Sequence, residues 1–67
     1  MTIAQEYADL NVCPETADED SRILFRKVFI RDDAEATETV VVFNDGSILK
    51  YYSDSQEERW YNAINPF

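Results

Sequence analysis

The apolar and polar positions of this chain fall into short runs, and the clearest lie between residues 37 and 52. Thr37-Glu38-Thr39-Val40-Val41-Val42-Phe43 and Ser47-Ile48-Leu49-Lys50-Tyr51-Tyr52 are rich in the β-branched and aromatic residues that suit a pleated, half-buried surface. Asn44-Asp45-Gly46 between them supplies turn residues, so the stretch predicts a β-hairpin. Two registers compete. A type I′ turn on Asp45-Gly46 needs positive φ at both residues and sets Val42 against Leu49. A type I turn over Phe43-Asn44-Asp45-Gly46, with Gly46 as a left-handed bulge, sets Phe43 against Ser47, Val41 against Leu49 and Thr39 against Tyr51. The bulged register is preferred because it gathers Phe43, Val41, Leu49 and Tyr51 on one face. Val40, Val42, Ile48, Lys50 and Tyr52 then take the other. It also gives the single glycine of the chain a position that glycine fills at least cost.

Ahead of the hairpin, Ile3, Tyr7 and Leu10 recur at the spacing of one helical face, with Glu6 and Asp9 outside it, which predicts a short helix over 2–11. Thr2 and Gln5 match a capping box, and Asn11 and Pro14 stop the helix. About three turns are marginal alone, so this helix must dock on the sheet. Residues 11–20 read as a connector. Residues 21–31 read as a strand with Ile23, Phe25, Lys27 and Phe29 on one face and Leu24, Arg26, Val28 and Ile30 on the other. Both sets are largely apolar, the pattern of a strand covered on both faces for part of its length. Asp32-Asp33-Ala34-Glu35-Ala36 reads as an acidic loop.

Beyond the hairpin, Ser53 with Gln56 and Ser55 with Glu58 match capping boxes, Trp60, Tyr61 and Ile64 form an apolar helical face, and Asn65-Pro66 ends it. A C-terminal helix is therefore expected, with Trp60 as its anchor on the sheet; an exposed Trp60 would instead mark an interface. The expected fold is α+β: a single small domain over 1–67, a three-stranded antiparallel β-meander with an N-terminal and a C-terminal helix packed on it, in the order α-β-β-β-α. With both helices on one face, the opposite face is left open and carries part of Val40, Val42, Ile48 and Tyr52.

Composition bounds the rest. At 67 residues the chain buries only about 60% of its unfolded surface. Its 45% hydrophobic content and nine aromatic rings argue against disorder. Cys13 is the one cysteine, so no internal disulfide forms and a reducing compartment is expected. No apolar run is long enough for a bilayer span or a signal-peptide core, so a cytoplasmic protein without a membrane partner is expected.

Candidate chemistry is mostly excluded. With no His, a Cys–His nucleophile on Cys13 is ruled out, and there is no Gly-rich phosphate loop, no CxxC and no Ser-His-Asp set. Asp18-Glu19-Asp20 lacks the residue spacing of a calcium loop. The chain is therefore expected not to be an enzyme and to hold neither cofactor nor metal.

Fourteen acids against six bases leave a net charge of −8. Such a chain is repelled by nucleic acid and drawn to basic surfaces, typically the nucleic-acid-binding faces of other proteins, although solubility alone also selects acidic surfaces. Four bases, Arg22, Arg26, Lys27 and Arg31, lie in the first strand, where ion pairs to Asp20, Asp32 or Glu38 explain them more simply than direct nucleic-acid binding. Two functions follow. The first is an acidic inhibitor that mimics nucleic acid and blocks the basic surface of a host nucleic-acid-binding protein, such as a nuclease, a polymerase or a CRISPR effector. Small phage or mobile-element inhibitors have this size and charge. Alternate acids on a strand stand roughly 7 Å apart, close to the spacing of a phosphate chain. The candidate contacts are Glu15, Asp18, Glu19, Asp20, Asp32, Asp33, Glu35 and Glu38. The alternative is a small adaptor that binds a protein partner, or itself as a homodimer, through an apolar sheet face or a strand edge.

Overall fold

The computed structural model describes residues 1–31, 36–54, 56 and 58–66. Along the chain it places α1 (Ile3–Leu10), β1 (Ile23–Arg31), β2 (Ala36–Phe43), β3 (Ile48–Ser53) and β4 (Arg59–Ile64). The strands form one antiparallel sheet in the order β1-β2-β3-β4, and α1 packs on one face of it over β3 and β4. The fold is α+β with an antiparallel sheet, but among the described residues it has four strands and one helix rather than three strands and two helices.

The segment expected to be a C-terminal helix is β4. Of the expected cap residues Ser55 lies outside the described residues, and Gln56 and Glu58 bond to Asp54 in the turn between β3 and β4. Asp54 accepts from the amides of Gln56 at 3.0 Å and Glu58 at 2.9 Å, while its own amide donates to the Glu58 carbonyl at 3.2 Å. A short polar side chain that captures amides two to four residues ahead closes a turn as readily as it starts a helix. Ser53 ends β3 opposite Arg59, and the aromatic pairs Tyr52–Trp60 and Tyr51–Tyr61 then hold the new strand in register.

The β2–β3 hairpin has the bulged register. Val41 opposes Leu49, Thr39 opposes Tyr51, and the Phe43 amide donates to the Ser47 carbonyl at 3.0 Å. Gly46 takes φ +89° and Asp45 keeps a negative φ, which excludes the type I′ turn. The hairpin tip also caps α1. The Ile3 amide donates to Asp45 at 2.9 Å, the Ala4 amide to the Ser47 hydroxyl at 3.1 Å, and the Gln5 amide to the Thr2 hydroxyl at 3.2 Å. Side chains thus satisfy three of the amides that a helix start leaves without a partner. Gln5 does not close the expected capping box; its amide nitrogen donates to Asp9 at 2.7 Å. At the other end Asn11 adopts the left-handed conformation, with its amide on the Ala8 carbonyl and that of Val12 on the Tyr7 carbonyl, a Schellman arrangement.

The core lies between α1 and the inner sheet: Ile3, Ala4, Ile23, Val41, Phe43 and Leu49 are buried, with Tyr7, Ala8, Cys13 and Ala63 packed against them. Tyr7 stacks on Phe43 with ring centres 5.4 Å apart. Leu10, expected on the buried helix face, is exposed, and Ala4 and Ala8 take its place beside Ile3 and Tyr7.

Candidate partner-binding surface

Paired residues of antiparallel strands share a face, so the registers sort the paired strand positions. Ile23, Arg26, Val41, Leu49, Tyr51, Tyr61 and Ala63 belong to the face under α1. Phe25, Lys27, Phe29, Glu38, Val40, Val42, Ile48, Lys50, Tyr52, Trp60, Asn62 and Ile64 belong to the other. No described element covers that second face. Trp60 is 54% exposed there, Phe25 47%, Phe29 43% and Ile64 40%, around the half-buried Val40, Val42, Ile48 and Tyr52.

Two corrections follow. Trp60 does not anchor a helix on the sheet; it is among the more exposed rings. Nor is β1 covered on both faces. It is an edge strand, and of its apolar residues only Ile23 is buried. The register shifts between Ile23 and Phe25, so Ile23 joins the core opposite Phe43 while Phe25 swings to the open face opposite Val42. Sequence alternation alone assigns Ile23 and Phe25 to one face; a bulge of one residue separates them.

The open face carries a few polar side chains among its apolar ones. Glu38 accepts from the Tyr52 hydroxyl at 3.1 Å and lies 4.0 Å from the Lys50 ammonium. The Lys27 ammonium sits 5.2 Å from the centre of the Phe29 ring, within cation–π range. Lys27 and Lys50 thus share this face with Glu38, in a chain whose net charge is −8.

Among the described residues, the acids named as partner contacts lie at several places. Glu15, Asp18 and Glu19 are exposed on the connector. Asp20 is occupied within the chain: it takes the Arg22 guanidinium at 2.7 Å, the Arg22 amide at 3.0 Å and the Tyr7 hydroxyl at 2.8 Å. The Arg22 side chain foremost, then its amide and the Tyr7 hydroxyl, hold the Asp20 carboxyl well below the usual carboxylate range. Burial and the Asp20 contact push the Tyr7 hydroxyl up. Glu38 lies on the open face, on the opposite side of the sheet from Arg26, which binds the connector. Asp32, Asp33 and Glu35 lie outside the described residues.

The connector crosses the α1 side of the sheet, held where Arg26 Nε donates to the buried Pro14 carbonyl at 2.7 Å. Cys13, Pro14, Glu15, Arg26, Tyr51, Arg59 and Tyr61 line a cleft there of about 220 Å³. Burial pushes the Cys13 thiol up, against the opposing pull of Arg26, which leaves it a poor nucleophile. Among the described residues no helix is long and apolar enough to cross a membrane. Comparison with protein-family models, with curated proteins and with solved structures finds no match.

Proposed function

We propose that this chain is a non-catalytic protein-binding module that docks a partner protein through the helix-free face of its sheet. The observation that carries the reading is Trp60, held half-exposed beside Tyr52 with Phe25, Phe29 and Ile64 on the same face. Burying one such side chain fully is worth about 1.5–3 kcal/mol, so a 67-residue fold that leaves four of them half in water forgoes much of its apolar driving force. Contiguous exposed apolar surface is a mark of contact surfaces, and tryptophan and tyrosine dominate their energetics.

The occupant is a different protein rather than a second copy. Strands of nine, eight, six and six residues about 4.8 Å apart give a footprint of roughly 450 Å², little more than half the ~800 Å² per partner of a standard stable interface. Two bodies of net charge −8 also repel. A second reading keeps the acidic connector as a decoy for a basic, nucleic-acid-binding surface, favoured by the exposure of Glu15, Asp18 and Glu19.

Affinity capture from host lysate separates the two. Wild type is compared with a Trp60→Ser/Ile64→Ser variant and a Glu15→Gln/Asp18→Asn/Glu19→Gln variant, with elution in a salt gradient and identification by mass spectrometry. The open-face reading expects one defined partner, retained at high salt, lost by the first variant and kept by the second. The reverse pattern, with release at moderate salt and displacement by added DNA or RNA, overturns it in favour of the decoy.

A further inference from the structure

The longest strand of the sheet stands at its edge. β1 runs for nine residues and has a neighbour only in β2. From Phe25 to Arg31 its register against Ala36–Val42 is unbroken. Alternate residues of a ladder strand turn their N–H and C=O to opposite sides, so the outer side of β1 offers a regular row of donors and acceptors. Natural proteins blunt such edges with prolines, bulges or charges. Here the bulge lies at the start of the strand, no proline interrupts it, and its charges are of one sign. Arg26, Lys27 and Arg31 are the charged residues of β1, and all are basic. Between them Val28 and Phe29 are half-exposed, and Ile30 is 74% exposed.

A second β1 fits this edge poorly. Two-fold pairing sets one basic strand against another across a spacing of about 4.8 Å; centred between Val28 and Phe29 it puts position 26 opposite position 31, and like charges directly opposite are destabilising. An acidic strand meets the opposite conditions. Carboxylates opposite Arg26 and Lys27 form charge-assisted bonds, and apolar residues opposite Phe25, Val28 and Phe29 cover side chains that now face water. The Pro14 carbonyl accepts from Arg26 Nε and holds that side chain on the α1 side of the sheet, so the exposed Lys27 is the cation that the test addresses.

We infer that β1 accepts, by strand addition, an extended segment of a partner protein in which two adjacent acids are flanked by β-branched apolar residues. The inference rests on reading the chain as a protein-binding module, but it uses the sheet edge rather than the middle of the open face. Such a strand widens the sheet and adds contact area that the open face alone lacks.

The test uses the full chain and a fluorescein-labelled peptide, Thr-Val-Thr-Val-Glu-Glu-Val-Thr, read by fluorescence anisotropy and by amide chemical shifts. The peptide is expected to bind with its largest shifts at 25–31. Lys27→Glu is expected to weaken it about tenfold, as for the loss of one charged contact worth ~1.4 kcal/mol. A lysine version of the peptide is expected to recover binding to that variant. N-methylation of alternate peptide residues is expected to abolish binding in one frame and spare it in the other, because an added strand bonds through one side only. Leu10→Ser, exposed on α1 away from the β1 edge, leaves peptide binding unchanged. Absence of binding at millimolar peptide, equal binding to Lys27→Glu, or shifts centred on β4 overturns the inference. The open-face reading is tested separately by the Trp60→Ser/Ile64→Ser capture.

Discussion

Asp45 accepts from the Ile3 amide, the Ser47 amide at 2.9 Å and the Ser47 hydroxyl at 2.5 Å, and so ties the hairpin tip to the start of α1. A carboxylate at that position also faces the positive end of the helix dipole. The Ser47 hydroxyl first, then the Ile3 amide, lower the Asp45 pKa in the folded chain. Asp20 is lowered in the same sense by Arg22. A carboxyl with a depressed folded pKa contributes stability that is complete above the unfolded value of about 3.9 and is lost as pH falls from there toward the folded value. Asp45→Asn is therefore expected to lower the urea midpoint at about pH 7 and to shrink the difference between about pH 7 and about pH 3. An unchanged difference would show that Asp45 is not coupled to folding. Gly46 carries a second residue-scale prediction. At φ +89° an added Cβ meets the Pro66 ring at 3.5 Å, an ordinary contact, so the cost of Gly46→Ala is the backbone alone, about 1–2 kcal/mol by denaturant titration with an unchanged slope.

At the scale of elements, the instructive segment is β4. Its helical periodicity over Trp60, Tyr61 and Ile64 is real, but so is a two-residue alternation, with Tyr61 and Ala63 facing α1 and Trp60, Asn62 and Ile64 facing away. Six residues are too few for periodicity to decide, and the polar run before them serves either as a helix cap or as a loop. The existing edge of β3, with Tyr51 and Tyr52 ready to pair with Tyr61 and Trp60, favours the strand. Asp54 is the residue that commits the loop. Asp54→Ala is expected to cost about 1 kcal/mol and to lower amide-exchange protection in 59–64 while sparing 23–31. Uniform loss across the sheet would mean that β4 does not open as a separate unit. The N-terminal helix and the hairpin were more legible, because their caps and turn are local: Thr2, Asn11 and Gly46 act on chain within a few residues of themselves.

For the molecule as a whole, the decisive asymmetry is one helix on one side of a four-stranded sheet. The connector and α1 cover one face; among the described residues nothing covers the other. Charges of both signs lie on each side: Glu15, Arg26 and Arg59 line the α1-side cleft, and Lys27 and Lys50 share the open face with Glu38. The small footprint and the net charge of −8 predict a monomer in sedimentation velocity at low salt and moderate concentration. A stable dimer that Trp60→Ser dissolves would replace the partner protein by a second copy as the occupant of the open face.

The sequence by itself determined the parts governed by near neighbours. These are the capped helix ending at Asn11, the bulged β2–β3 turn on the sole glycine, the alternation that places Val41, Phe43 and Leu49 together, and the existence of an open face bearing Val40, Val42, Ile48 and Tyr52. Only the tertiary structure decided what depends on distant pairing. It placed β1 at an edge and rephased Ile23 and Phe25 across a bulge. It spent Asp20 on Arg22 and Tyr7, and set Glu38 beside Tyr52 and Lys50. It also turned the last apolar segment into a strand with Trp60 facing water. The physical reason is that the β2–β3 turn, the Thr2 cap and the Asn11 stop are satisfied within a few residues, whereas the Ile3 and Ala4 amides, the face of a strand and the freedom of a charge are set by partners that the chain brings from elsewhere.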